Sequence, residues 1–196
     1  MSGGELFPNK LEMRVLMKIN RRNTLIWNGH TIAVPRVFEP DPLAYSPFPK
    51  QKSWTGQKHI VVDLKQLAWA AYEPIENGKA KLLKWGPAAG GVGKCRETGK
   101  YTCKTPVGIW QIYEIKKGFA RSSLYPVECT DKNKCGHPYY NVMKFGPRFE
   151  ALHGERAGHV SGTNISHGCV RMFREDSEYL INYFVEFGTM ILVERY

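Results

Sequence analysis

The sequence predicts a mainly β protein: a mixed β-sandwich or barrel-like domain with one main helix and a small N-terminal α/β segment. Short runs of β-branched and aromatic residues, separated by turn signals, dominate from residue 58 onward. One helical apolar stripe follows near the C-terminus. The 196 residues, 42% of them hydrophobic, suit one well-filled core with a small appendage.

The first 36 residues are predicted to form a helix, a turn and a strand. Leu11, Val15, Leu16 and Ile19 recur at helical spacing, and a turn at Asn28-Gly29 leads to a strand over 31–34. A proline-rich linker or surface wrap is expected over 37–57, because its prolines exclude regular structure. A second, β-rich domain is then expected over 58–196.

Alternation and residue type predict the remaining elements. Predicted strands cover 60–64, 68–72, 80–85, 107–113, 139–145 and 190–193, and a hairpin turn covers 76–79. Residues 86–93 are predicted to be a loop, and the run 149–152 is expected to end as a strand at His153. Glu175-Asp176 favour a helix N-terminus, and Gly188 is expected to end that helix.

The charge and the termini constrain function only weakly. A net charge of +10 favours polyanionic partners, but the lysines and arginines are scattered and the chain has no nucleic-acid motif. No stretch approaches the length of a membrane span. Residues 1–5 lack the apolar region of a signal peptide. Either the protein stays in the cytoplasm, or the chain begins after a removed signal.

The five cysteines divide into two close pairs and one remainder. Cys95 and Cys103 flank one polar loop, and Cys129 and Cys135 flank another. Two short disulfides would leave Cys169 free, the pattern of an exported thiol enzyme. Two alternatives stay open: four reduced cytosolic thiols, or a metal site formed by Cys129, Cys135 and His137.

Cys169 lies in a sequence context that suits a nucleophile. A thiol attacks carbonyl groups only as the thiolate, so it needs a base or a cation beside it. We select His153 as that base, because a histidine at a strand end can meet a loop from elsewhere. Gly168 would let backbone N–H groups approach a developing oxyanion. Arg171 could bind a substrate carboxylate.

The other histidines have plainer interpretations. His59 and His137 are expected to be surface or loop residues, and His159 either lines the mouth of the site or lies in a flexible loop. A redox role for Cys169 lacks a resolving C-x-x-C partner. A papain-like protease would place its cysteine before its histidine, which is the reverse of the order here.

The segment Ser166–Met172, SHGCVRM, resembles the signature of the YkuD-type L,D-transpeptidases, with His153-Gly154 at the expected interval upstream. Further likenesses are the Thr105-Pro-Val-Gly turn, the opening strand 60–64, and the closing helix and strand. The resemblance extends over about residues 58–196. A weaker, partial likeness links residues 16–35 to the second half of a LysM glycan-binding module.

The resemblance implies a set of roles. Cys169 would be the acylated nucleophile and His153 the general base, oriented by a backbone carbonyl such as that of Gly154. Backbone N–H groups of Gly168 and Cys169 would bind the oxyanion. The loop-shaping residues and the candidate substrate contacts are Ser166, His167, Arg171, His159 and Tyr140.

The resemblance also implies a reaction and a location. The thiol would attack the third residue of a peptidoglycan tetrapeptide, release D-Ala, and pass the acyl group from a thioester to an amine, giving a 3→3 cross-link. No metal or organic cofactor is expected; carbapenems are expected to acylate the thiol; and the protein would be exported, periplasmic or wall-associated. Alternatives are an L,D-carboxypeptidase, D-amino-acid exchange, protein anchoring, a toxin acting on the same peptides, or a non-catalytic wall-binding protein.

Overall fold

The structure, a computed structural model, describes residues 10–95, 102–148, 150–194 and 196. The helices are α1 (Lys10–Ile19), α2 (Lys132–Cys135) and α3 (Arg174–Tyr179). The strands are β1 (Gln51–Ser53), β2 (His59–Asp63), β3 (Ala68–Ile75), β4 (Lys79–Ala89), β5 (Gly108–Gln111), β6 (Glu114–Arg121), β7 (Pro138–Lys144), β8 (Ala151–Glu155), β9 (Val170–Phe173) and β10 (Met190–Val193).

The strands form one curled mixed sheet, a half-barrel, as the predicted fold class requires. Its order is β5-β10-β2-β3-β4-β9-β8-β7-β6, with β1 paired to β4. The β10–β2 and β8–β9 pairs are parallel, and the other pairs are antiparallel. The predicted base His153 lies on β8, and the predicted nucleophile Cys169 directly precedes β9.

The core fills the concave side of the sheet. The segment after β9 covers it, because Leu180, Ile181 and Phe184 pack against Ile60, Val62 and their neighbours. This segment begins as α3 and continues as a π-helical turn over Leu180–Phe184. It therefore ends before the predicted Gly188, which instead lies in the turn ahead of β10 with a φ of 85°.

Several boundaries differ from the sequence prediction. Strand β4 continues to Ala89 through the predicted loop, because its second half pairs with both β3 and β9. Strands β6 and β9 were not predicted. His153 lies in the middle of β8, not at its end, and position 149 lies outside the described residues. Residues 31–34 form no strand, so the N-terminal segment is a helix followed by irregular chain.

The N-terminal segment packs against the catalytic domain. Val15 and Leu16 of α1 are buried, and Lys18 donates a hydrogen bond to the Trp85 carbonyl (2.9 Å). The Asn23 N–H donates to the Val160 carbonyl (2.9 Å), which joins the segment to the loop after β8. A 3₁₀ turn (Pro42–Tyr45) and β1 lie within the predicted linker. No helix in the described part of the chain could span a bilayer.

Candidate active site

The loop that carries Cys169 is attached to the end of β4 by backbone hydrogen bonds. The Ser166 N–H donates to the Gly90 carbonyl, and the Val92 N–H donates to the Ser166 carbonyl, each at 2.9 Å. The Thr105 hydroxyl donates to the Gly168 carbonyl at 2.8 Å. Gly168 has a φ of 124°, a conformation that other residues rarely adopt. The thiol is therefore held in place by the conformation of its own loop and by hydrogen bonds to two other segments, the chain after β4 and Thr105.

Strand register brings Cys169 and His153 to the same face of the sheet. Leu152 pairs with Val170 and His153 with Arg171 in the parallel β8–β9 ladder. Because side chains alternate along a strand, the face that carries His153 also carries Cys169 and Arg171. Diagonal neighbours on one face lie about 7–8 Å apart between backbones, within reach of an aromatic ring. Both side chains line the same cleft.

Burial keeps the Cys169 thiol protonated in this state. Desolvation is the main cause that raises its pKa, and the carboxylates of Glu150 and Glu155 act in the same direction. A backbone hydrogen bond from Ala151 and the charge of Arg171 oppose this shift. Cys169 is a free thiol and is partly exposed to the cleft. A base must therefore remove its proton during the reaction.

His153 is neutral at physiological pH for the same reason. Burial lowers its pKa to about 4; the charge of Arg171 adds to the effect, and the Glu155 carboxylate opposes it. Its Nδ1 lies 3.4 Å from Glu155 Oε1 and has no hydrogen-bond partner among the described residues. A neutral imidazole beside a protonated thiol can act as a general base.

Glu155 is the central residue that the sequence analysis missed. Its carboxylate is fully buried, and it accepts a hydrogen bond from His137 Nε2 (2.9 Å). Arg171 Nε lies 3.4 Å away, and His159 Nδ1 lies 3.7 Å away. Burial acts to raise the pKa of Glu155, but the hydrogen bond from His137 and the charges of His153, Arg171 and His137 lower it overall. Its position two residues after His153, on the same strand face, was the available signal.

Ser166 makes hydrogen bonds within the loop that carries Cys169. Its hydroxyl accepts the Gly168 N–H at 3.1 Å and donates to the Cys169 carbonyl. The Gly168 N–H is therefore bonded to Ser166 in this state. Gly154 serves packing: a Cβ there would meet Ser177 Oγ at 2.2 Å, so glycine lets α3 approach β8.

The cleft has a volume of about 640 Å³. Its walls include Cys95 and Cys103, which form one of the disulfides, and His167 lies in it with its ring stacked on Tyr125 at 4.0 Å. Other residues that line the cleft are Tyr139, Glu150, His153, Cys169 and Arg171, with His137 just after the second disulfide loop. The Cys95–Cys103 disulfide thus lines the same cleft as the reactive thiol.

Among the three predicted substrate contacts, only Arg171 lines the cleft. His159 lies behind it, on the far side of Glu155. Tyr140 points to the opposite side of β7, where it packs against Phe119 and Arg174. Its neighbour Tyr139 lines the cleft instead, 5.1 Å from the His153 ring between centroids. Neighbouring residues of a strand point to opposite faces, so Tyr139 and not Tyr140 faces the cleft.

The cysteine prediction is confirmed. Disulfides join Cys95 to Cys103 and Cys129 to Cys135, and Cys169 is free. The alternative metal site at Cys129, Cys135 and His137 is therefore wrong, because both thiols are oxidised. The expected surface position of His59 is also wrong. Its side chain is buried in β2 between the rings of Trp54 and Tyr72.

Comparison with known proteins agrees with this geometry. Residues 57–193 match the YkuD family, described as the L,D-transpeptidase catalytic domain. The match does not reach the LysM-like segment, which stays a prediction. No curated protein matches the sequence.

Solved structures show the same fold at low identity. An L,D-transpeptidase from Xylanimonas cellulosilytica is 24% identical, with a TM-score of 0.58, over 78% of this chain and 67% of that one. One from Stackebrandtia nassauensis is 21% identical, with a TM-score of 0.55, over 100% and 71%. The LD transpeptidase LdtMt1, solved with imipenem, is 16% identical, with a TM-score of 0.53, over 70% and 58%. This chain therefore spans roughly 58–71% of the lengths of these relatives.

Proposed function

We propose a reaction for this chain from one premise: it belongs to the YkuD family of L,D-transpeptidase catalytic domains, which the match over residues 57–193 shows. The proposed substrate is a peptidoglycan tetrapeptide stem. Cys169 attacks the carbonyl of its third residue, at the L-centre, and displaces the terminal D-Ala. An amine on a neighbouring stem then accepts the acyl group. The product is a 3→3 cross-link.

In the first half-reaction, the Cys169 Sγ–H proton passes to His153 as sulfur bonds to the carbonyl carbon. The protonated imidazole then gives this proton to the D-Ala nitrogen as the C–N bond breaks, which leaves a thioester. Glu155, 3.4 Å from His153 Nδ1, stabilises the imidazolium between these two transfers. Arg171 contacts the same carboxylate. We therefore assign it an electrostatic role at Glu155 in preference to a direct contact with the substrate.

In the second half-reaction, an acceptor amine attacks the thioester carbonyl. His153 takes a proton from that amine and returns it to sulfur as the C–S bond breaks. The net result exchanges one amide bond for another, and no external energy source is needed. The Cys169 N–H is the remaining loop donor that we assign to the developing oxyanion, since the Gly168 N–H is bonded to Ser166.

One observation carries this proposal: a free cysteine and a neutral histidine share one face of adjacent strands at the wall of a single cleft. A cysteine with only a structural role would not need a histidine on the same face of the cleft wall. The cleft has a volume of about 640 Å³, and the Cys95–Cys103 disulfide forms part of its wall. The two disulfides support an exported or wall-associated location, since such bonds persist in oxidising compartments.

Product analysis tests the reaction. Incubation with a disaccharide-tetrapeptide, followed by mass spectrometry, should give a cross-linked dimer with loss of one D-Ala. Cys169→Ala should give no product. Tripeptide alone would mean that water is the acceptor and that the enzyme is a carboxypeptidase. Unchanged tetrapeptide with the folded wild-type enzyme would overturn the proposal.

Carbapenem acylation provides a second readout. Because imipenem occupies one fold relative, we expect intact-mass analysis of this chain to show one imipenem adduct per molecule. The adduct should be absent from Cys169→Ala, and a persisting adduct would point to another nucleophile. Acylation should fall about 10³-fold in His153→Ala, within the range of general-base catalysis. It should fall far less in His159→Ala, and the reverse order would identify a different base.

Thiol titration tests the proposed compartment. Under native, non-reducing conditions the exported protein should contain one reactive thiol per chain, that of Cys169. Five free thiols would contradict the disulfides and remove the argument for export.

A further inference from the structure

Two histidines, His137 and His159, lie beside the buried Glu155 carboxylate, and the proposed reaction gives neither of them a role. His137, Glu155 and His159 each offer one ligand atom, and these atoms all lie within 4.8 Å of one another. Two histidines and one carboxylate are a recurrent protein set for Zn²⁺ with an open fourth position. We propose that His137, Glu155 and His159 bind one divalent transition-metal cation of the zinc class beside the catalytic cleft.

The distances suit such an ion. Zinc–ligand bonds of about 2.0–2.1 Å place neighbouring tetrahedral ligands about 3.3 Å apart. His137 Nε2 lies 3.2 Å from Glu155 Oε2, and His159 Nδ1 lies 3.7 Å from the same oxygen. Both histidines therefore approach Oε2 at nearly the separation that a shared ion requires. A small rotation of the half-exposed imidazoles is enough to complete the site.

His137 Nε2 contacts both carboxylate oxygens of Glu155, at 2.9 Å from Oε1 and 3.2 Å from Oε2. Arg171 Nε and His153 Nδ1 each lie 3.4 Å from Oε1, whereas His159 Nδ1 approaches Oε2. The cation would bind at Oε2, between His137 and His159, so it would not have to displace Arg171. The guanidinium charge still opposes a dication nearby, which predicts micromolar and not nanomolar affinity. Hard cations such as Mg²⁺ are disfavoured, because two of the three ligands are imidazoles.

Backbone hydrogen bonds hold both histidines in position before any ion arrives. The His137 N–H donates to the Tyr125 carbonyl (2.8 Å), and the His137 carbonyl accepts from the Ser122 N–H (2.9 Å). Next to His159, the Val160 N–H donates to the Asn23 side chain at 3.0 Å. The ion would therefore join three parts of the molecule: a disulfide loop, β8, and the loop held by the N-terminal segment.

Arg156 gives this proposal a distinctive test. Its Nε donates to His159 Nε2 at 2.7 Å, which leaves the other ring nitrogen, Nδ1, as the protonated one. A metal on Nδ1 requires the opposite tautomer, with the proton on Nε2. The exposed Arg156 side chain must then swing away. Removing it should make cation binding easier, whereas removing a ligand should weaken binding.

The experiment uses the full chain carrying Cys169→Ala, with its disulfides intact, because this change removes the competing thiol ligand. After chelator treatment and dialysis, Zn²⁺ is titrated by calorimetry, and Co²⁺ by the visible absorption that reports coordination geometry. We expect one equivalent bound with an imidazole-type cobalt spectrum. Binding without catalysis in this variant keeps the test independent of the proposed transpeptidase reaction.

Single substitutions in the same background locate the site. His137→Gln and His159→Gln should each weaken binding at least about tenfold, and Arg156→Gln should strengthen it. His30→Gln, at an exposed histidine far along the N-terminal segment, is the matched control and should bind as the parent does. Absence of stoichiometric binding in the parent would overturn the proposal. So would unchanged binding in both ligand variants, or a loss in His30→Gln equal to theirs.

Discussion

Two buried carboxylates, Glu155 and Asp176, respond to burial in opposite ways. Each residue is 1% exposed. The pKa of Glu155 is lowered, because His137 donates a hydrogen bond to it and Arg171 lies 3.4 Å away. The pKa of Asp176 is raised by burial although Lys84 and Lys18 lie 3.5 and 3.7 Å away. Neither oxygen of Asp176 has a hydrogen-bond partner among the described residues.

The difference lies in how far the neighbours offset burial. His137, His153 and Arg171 together outweigh burial at Glu155, whereas Lys18 and Lys84 do not outweigh it at Asp176. Glu155 keeps its charge at the cleft, where a protonated imidazole must be stabilised. Asp176 lies on the opposite side of the β8–β9 layer under α1, where Lys18 of that helix reaches it. We interpret the first cluster as functional and the second as the joint between the N-terminal helix and the catalytic domain.

The largest expected effect comes from breaking the Asp176 cluster. Asp176→Ala should lower the free energy of unfolding by about 4 kcal/mol, because two partly buried lysines lose their shared counter-charge. Denaturant unfolding measures this change. Glu175→Ala, at the exposed neighbouring position, should change stability by less than about 0.5 kcal/mol. Equal effects of the two substitutions would remove the structural role of Asp176.

His59 shows the effect of burial on a pKa where no opposite charge contributes. Burial lowers its pKa to about 4; Lys52 adds to the effect, while a hydrogen bond to Gln57 opposes it. The folded protein therefore resists a proton that the unfolded chain accepts below pH 6.5. The stability from this residue is present above pH 6.5, and it is lost as the pH falls toward 4.

The measurement compares wild type with His59→Phe in denaturant titrations between pH 7 and pH 4. The wild type should lose about 3 kcal/mol more than the variant across this range. Parallel pH profiles for the two proteins would show that His59 titrates normally and that burial alone does not shift it.

Glu155→Gln tests the functional half of the comparison. An amide cannot stabilise the His153 imidazolium as a carboxylate does, so acylation by imipenem should slow about 30-fold, or about 2 kcal/mol. The assay contains a chelator, which separates this effect from any bound cation. Asp176→Asn makes the same chemical change at the other carboxylate, and it should leave the acylation rate of the folded fraction unchanged. Similar losses in both variants would contradict the division of roles.

The smallest expected effect concerns the link to α1. Lys18→Met should lower stability by about 1 kcal/mol, since it removes one hydrogen bond to the Trp85 carbonyl and one of the two lysines near Asp176. Arg14→Met, on the exposed side of the same helix, should have almost no effect. Denaturant unfolding measures the stability of both variants. Equal stabilities of the two variants would mean that apolar packing alone holds α1.

Local sequence patterns predicted much of the fold and the reactive pair. The Asn77-Gly78 hairpin, strand β2 and helix α1 follow from residue types and spacing, which act within a few residues. The same patterns failed where pairing decided the structure. The sequence of β6 is mostly polar and contains a glycine, so it does not predict a strand. It is a strand because β7 pairs with it. The predicted substrate contact Tyr140 lies outside the cleft, because the register of β7 turns Tyr139 toward it.

The sequence by itself determined that two close cysteine pairs leave one cysteine over. It also determined the Ser-His-Gly-Cys motif, the upstream histidine and the family to which they belong. These are local or countable features, and a chain carries them before it folds. Only the tertiary structure decided what surrounds Glu155. His153 shares strand β8 with Glu155, but Arg171 reaches the carboxylate through the parallel β8–β9 register, His137 from the segment after the second disulfide loop, and His159 from the loop that the N-terminal segment contacts. Electrostatic environment depends on distance in space, so the pKa values of the site become fixed only when those segments meet.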